Sequence, residues 1–190
     1  AYFLGEVSAA GWWYYFPVVF LLKEPIPSLI LIGLALLLGF WSIIKKFKIQ
    51  NSKFKIFMDY LGTHFPEFSM LAFVVLYWLY SVKSPLNIGV RHLMPTMPFV
   101  YILTASVIKK LVSSGNFIKI SLKGSLVIIL LIWYFGETLF AAPYYLSYFN
   151  QFGGGIENGY RYVTDSNYDW GQDLKRLKEW ADKNLPAGRQ

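Results

Sequence analysis

"IPSLILIGLALLLGFWSII", residues 26–44, decides how the rest of the chain is read. A segment needs about 20 mainly apolar residues to cross a bilayer core, and this one meets that length with no charge inside it. Its backbone polar groups would find no water in hydrocarbon, so the spanning form is a helix. Composition agrees with a chain solvated largely by lipid. Of the 190 residues, 55% are hydrophobic and 15% charged, and the mean hydropathy is +0.40. Soluble domains carry about 25% charged residues.

Working outward, three further apolar stretches read as spans. Residues 68–82, "FSMLAFVVLYWLYSV", extend back to give a span at 62–82. Residues 93–111 carry Pro95, Thr96, Pro98 and Thr104, and residues 125–143 enclose Glu137. The expected fold is an all-α integral membrane protein of about four transmembrane helices. The aromatic share of 19% suits it, because Trp and Tyr settle at the boundary between headgroups and hydrocarbon.

Lysines orient these spans. Lys45, Lys46, Lys48, Lys53 and Lys55 lie between the first and second, opposed by Asp59, and Lys109, Lys110, Lys119 and Lys123 lie between the third and fourth. The excess of Lys and Arg on cytoplasmic loops puts both connections inside the cell. Lys23–Glu24, residues 83–91 and everything after about Tyr144 then face outward, from a plasma (inner) membrane. The net charge of +7 is thereby accounted for without nucleic acid.

The flanks differ from the spans. "GWWYYFPVVFLL", residues 11–22, is interrupted by Pro17 and too short to cross, so it reads as an interfacial aromatic belt. Residues 1–147 form the membrane region. Residues 148–190 hold Glu157, Asp165, Asp169, Asp173, Glu179 and Asp182, more than half of the 11 acids, and read as the start of a small extracytoplasmic soluble region. Gly153, Gly154, Gly155 and Gly159 read as a flexible exit from the membrane. The chain begins at Ala1 and stops at "PAGRQ", which reads as part of a longer protein.

Candidate chemistry concentrates outside. In "TDSNYDWGQDLKRL", residues 164–177, Asp169 and Gln172 have capping-box spacing, and Trp170, Leu174, Leu177 and Ala181 recur as an amphipathic stripe. Asp165 and Asn167 fit turn positions. A Trp beside Asp173 and side-chain amides is also a set that holds sugars, the ring on C–H faces and the polar groups on hydroxyls. In "NIGVRHLMPTMPF", residues 87–99, Arg91 and His92 stand at the outer mouth of the third span. An arginine there suits a lipid phosphate or snorkels to headgroups. Lys23 is either a phosphate partner or an anchor. Glu137, an ionisable residue inside a span but near its outer end, is either a functional candidate or a side chain that simply reaches water. With no cysteine and no His/Asp ligand spacing, no metal site is indicated, and a divalent cation enters only as an undetermined cofactor.

The motifs "GWWYYFPVVFLLKEPIP", "NIGVRHLMPTMPF" and "YLSYFNQFGGGIENGYRYVTDSNYDWGQDLKRLKEW" resemble, in that order, the C-terminal half of bacterial dolichyl-phosphate-mannose-protein mannosyltransferase-like enzymes. The resemblance implies a glycosyltransferase C membrane fold and a polyprenyl-phosphate-linked sugar as partner, with transfer at the extracytoplasmic surface. It implies that Arg91 and Lys23 neutralise the carrier phosphate. Asp165 to Asp173 would border the sugar site, and the catalytic acidic residue would come from a loop upstream of this chain. The family usually carries Tyr where this chain has His92. The alternative class is a non-catalytic membrane protein, a lipid-carrier transporter or an envelope-assembly scaffold.

Overall fold

The computed structural model describes residues 1–49, 58, 60–113 and 122–185. Lys53, Lys55, Asp59 and Lys119 lie outside the described residues. The chain is mostly helical. A two-stranded antiparallel hairpin comes first, β1 (Tyr2–Phe3) and β2 (Glu6–Val7). Helices α1 (Tyr15–Lys23), α2 (Ile26–Ile49), α3 (Phe65–Lys83), α4 (Met97–Val112), α5 (Leu122–Ala141) and α6 (Leu174–Asn184) follow.

Proline chemistry sets several of these boundaries. A residue before proline is pushed out of the helical region. Glu24, at ψ 134°, ends α1 before Pro25, and Ser84, at ψ 133°, ends α3 before Pro85. Pro66 and Pro98 sit in the first turns of α3 and α4, where their missing N–H costs nothing.

Among the described residues, three helices are long and apolar enough to cross a membrane: residues 26–45 of α2, then α3 and α5. The expected third span differs. Gly89 and Pro95 shape Val90–Thr96 into a 3₁₀ segment, and only Met97–Val112 is α-helical. Sixteen residues at about 1.5 Å each reach roughly 24 Å, short of the roughly 30 Å of a hydrocarbon core.

The start of α2 meets the start of α4, where Tyr101 bonds Glu24 at 2.9 Å. The end of α3 adjoins Val90–Thr96 through ring contacts of Tyr77 and Tyr80 with His92. Lys45 of α2, Lys109 and Lys110 of α4 and Lys123 of α5 sit at the opposite ends of their helices. Four lysines thus gather at the end of the bundle away from the cap, while Lys23 and Lys83 close α1 and α3 at the cap end.

At the other end the chain builds a cap from three separate segments: residues 1–24, 85–96 and 143–170. Its core is Phe3, Phe16, Val19, Leu93, Phe149 and Val163, each at most 2% exposed. Burying side chains of this size stabilises by about 1.5–3 kcal/mol apiece. Phe3 pairs with Val163 as a bridge, and the Leu4 N–H donates to the Tyr162 carbonyl at 2.8 Å. The hairpin and this closure were not expected of an all-α chain with a loose exit from the membrane. The glycines are part of the packing: Gly153 is buried, and Asn150 Oδ1 accepts from the N–H groups of Phe152 and Gly153 at 3.0 and 3.3 Å. Gly159 lies so close to Phe149 and the Tyr168 hydroxyl that a Cβ would collide with both.

Candidate functional site

The cap positions most of the predicted site residues, and Asn167 is its hub. The side chain is 1% exposed. Its Oδ1 accepts the Val90 N–H at 3.0 Å, and its Nδ2 donates to the Tyr15 hydroxyl at 3.0 Å and the Thr164 carbonyl at 3.2 Å. One amide therefore ties α1, the 3₁₀ segment and the turn Asp165–Asn167. Ser166 adds a hydrogen bond to the Ile88 carbonyl. Gly89 permits this approach: at φ +95° it has no Cβ, which would stand 2.6 Å from Ser166 Oγ. The local turn role expected of Asn167 is thus the smaller part of what it does.

Lys23 points inward. Its ammonium donates to the Leu146 carbonyl at 2.7 Å and the Asn167 carbonyl at 2.5 Å, and lies 4.4 Å from the centre of the Phe149 ring. Among the described residues no carboxylate pairs with it. Burial pulls its pKa from 10.5 down to about 7. These contacts join the end of α1 to both sides of the cap.

Arg91 points the other way. It is exposed, with its guanidinium carbon 5.6 Å from the centre of the Trp170 ring. That ring is fixed by a bond from its indole N–H to the Ser166 carbonyl at 2.6 Å and remains 49% exposed. Arg91 and Trp170 thus come together on the surface through residues that also bond Asn167 and Ile88. His92 turns back instead, among Phe16, Tyr77 and Tyr80. Its Nε2 is buried without a hydrogen-bond partner among the described residues.

The capping box does not form. Gly171, at φ +85°, breaks the run, and α6 starts later, with Asp173 at its N-cap position making no side-chain cap bond. Asp169 instead accepts the Gly171 N–H at 2.6 Å, and Gln172 bonds the Trp170 N–H at 2.7 Å and the Tyr168 carbonyl at 3.1 Å. Trp170 accordingly lies outside the helical stripe to which its spacing assigned it. Asp173 pairs with Arg176 at 3.0 Å on the surface, and Arg176 stacks over Tyr144 at 5.2 Å. Asp165 opens the 3₁₀ turn Asp165–Asn167.

Glu137 is 8% exposed and does not reach water. It accepts from the Tyr148 hydroxyl and from Gln151 Nε2, the latter at 2.9 Å. Glu24, also buried, accepts from Ser28 at 2.5 Å and Tyr101 at 2.9 Å. Burial raises the Glu24 carboxyl above its ordinary value, with those two bonds acting in opposition. The Tyr148 phenol is raised by burial and then by its bond to Glu137. Below this polar layer a cavity of about 380 Å³ opens between α2, α4 and α5, lined by Ser28, Leu31, Tyr101, Thr104, Ile108 and Tyr134. Among the described residues no group of three or more His, Cys, Asp or Glu could hold a metal ion.

Compared with known proteins, the chain matches no family model, no curated protein and no solved structure.

Sequence reasoning missed Glu24, Asn150 and Tyr148. Asn150 donates to the Leu21 and Glu24 carbonyls at 2.6 and 2.7 Å while accepting from the following turn. The visible signals were an acid beside Lys23 and an Asn directly before a glycine run. Neither names a partner more than a hundred residues away.

Proposed function

We propose that this chain is part of a membrane glycosyltransferase that takes a sugar from a polyprenyl-phosphate carrier at the extracytoplasmic face of the plasma membrane. In this reading the lysine-rich helix ends face the cytoplasm, the cap faces outward, and Val90–Thr96 together with α4 completes a fourth crossing. The observation that carries it is the exposed pairing of Arg91 with Trp170 at the rim of an apolar bundle. A guanidinium is a permanent cation that holds a phosphate with two donors. An exposed indole face beside it, with Asp169, Gln172 and Asp173 nearby in sequence, offers the mixed apolar and polar surface a pyranose ring needs. The three motifs that resemble protein mannosyltransferase-like enzymes include both residues.

Mechanistically, Arg91 stabilises charge on the departing carrier phosphate as the sugar–phosphate bond breaks, and Trp170 orients the ring. Lys23 acts as a positioning residue through Asn167. The acidic residue that activates the acceptor comes from elsewhere in the full-length protein. The test is sugar transfer from a polyprenyl-phosphate donor by that protein. Arg91→Ala is expected to lower transfer about 10²-fold, the scale on which a lost stabiliser of transition-state charge is felt. Unchanged transfer removes the phosphate role. A transfer-negative parent that moves the carrier lipid across the bilayer supports the transporter class instead.

A further inference from the structure

Helix α6 presents an apolar arc that nothing else in the described chain covers. Leu174, Leu177 and Trp180 are 63%, 59% and 55% exposed. At 3.6 residues per turn, Leu174, Leu177, Ala181 and Leu185 fall within an arc of roughly 80°, with Trp180 about 60° beyond it. Lys178 borders this arc on one side, with Asp182 beyond it, Arg176 follows Trp180 on the other, and Glu179 lies on the far face. Cations at the edges of an apolar face are placed to reach phosphates while their methylene stems lie on hydrocarbon. Over the helix, Lys175, Arg176, Lys178 and Lys183 outweigh Glu179 and Asp182.

The height of this helix relative to the bundle decides what covers it. Phe140, in the last turn of α5, is 89% exposed, so hydrocarbon has to extend to that turn if the side chain is to avoid water. Tyr144 follows about one turn further along the chain, where the headgroup layer begins. The Arg176 guanidinium rests over the Tyr144 ring at 5.2 Å. That contact holds the first turn of α6 beside the membrane boundary, so its apolar arc is within reach of the acyl chains.

We propose that α6 lies along the membrane surface, with its apolar arc in the boundary between headgroups and acyl chains and its cations on anionic phospholipid. This rests on the three apolar helices crossing a bilayer and is independent of sugar transfer. The chain has no cysteine, so a single Cys reports one position. Leu177→Cys and Glu179→Cys, on opposite faces of α6, are each labelled with an environment-sensitive fluorophore. Each is reconstituted in phosphatidylcholine vesicles, with and without one-quarter phosphatidylglycerol, containing a shallow spin-labelled lipid. The label at 177 is expected to be blue-shifted and quenched several-fold more than that at 179, with the contrast greater when phosphatidylglycerol is present. Equal quenching at the two positions overturns the proposal. So does a label at 177 that is shielded but unquenched by lipid, which would place a protein surface over the arc. Both positions are solvent-exposed, so the substitutions spare the fold, and the readout does not depend on catalysis.

Discussion

Replacing Asn150 with alanine should loosen the cap more than almost any other single polar change. The side chain is 1% exposed and makes four hydrogen bonds: Nδ2 to the carbonyls of Leu21 and Glu24 at 2.6 and 2.7 Å, and Oδ1 from the N–H groups of Phe152 and Gly153 at 3.0 and 3.3 Å. Each such bond contributes about 1 kcal/mol net, and a buried group left unpaired costs about 1–3 kcal/mol. The expected loss is therefore about 3–5 kcal/mol. It falls on the joint between the end of α1 and the segment after α5, because the Leu21 and Glu24 carbonyls belong to the last turn and C-cap of α1. The assay is equilibrium unfolding of the purified protein in detergent, followed by tryptophan fluorescence, since Trp12 packs against the core ring of Phe3. Asn150→Asp keeps both acceptor bonds but turns a carboxylate oxygen onto the two carbonyls of α1, so it should lose at least as much. Asn184→Ala removes one exposed bond, to the Trp180 carbonyl at 2.7 Å, and should cost under about 0.5 kcal/mol. If Asn150→Ala stays within about 1 kcal/mol of the parent, the hydrogen-bond accounting for the cap is wrong.

Two further predictions use the same unfolding measurement. Gly159→Ala drives a methyl group into Phe149 and Tyr168 and should cost at least about 2 kcal/mol. Gly155→Ala, at φ +72° with open space around it, should cost only the left-handed strain of about 1–2 kcal/mol, and the reverse order would refute the tight contact. Lys23 carries a pH signature. Its folded pKa of about 7 lies below the unfolded 10.5, so between those values the unfolded chain holds a proton that the folded chain has released. Stability should therefore climb with pH across that window and be lost again as pH falls through about 7. In Lys23→Met that part of the slope should vanish, and identical slopes for the two proteins would show that the ammonium is not desolvated.

What was legible in the sequence follows from the range of the interaction behind it. Residues 26–44 and 125–143 announce helices because length and apolarity are local properties, and both helices appear within a few residues of expectation. The lysine-rich helix ends are legible for the same reason. The start of α6 was misjudged because Asp169 and Gln172 match a capping pattern, yet Gly171 between them adopts φ +85°, which no helix accommodates. The α-helical start of the third stretch is less legible because Pro95 and Pro98 permit either a helix start or a 3₁₀ turn, and Val90–Thr96 takes the turn where it packs against α1 and α3. Asn167 reads as a site residue from its type and neighbours. Its central position depends on Val90 and Tyr15, at separations of 77 and 152 residues, and no spacing rule reaches that far. Arg91 and Trp170 were singled out separately, and their meeting required the fold.

The cap joins the two extremes of the chain, and this has a consequence for biosynthesis. The Tyr2 hydroxyl bonds the Arg161 carbonyl across 159 residues, and Phe3 gains its bridge partner only when Val163 arrives. At roughly 5–20 residues per second on the ribosome, the N-terminal hairpin waits on the order of 8–30 s for its partner strand. Throughout that interval Phe3 and Phe16 lack their Phe149 and Val163 neighbours while α2, α3, α4 and α5 are being made. The nascent chain thus passes through a stage in which α2 to α5 have been made and the aromatic segment before α2 still lacks these neighbours, the stage at which a chaperone or the lipid surface itself would have to shelter it.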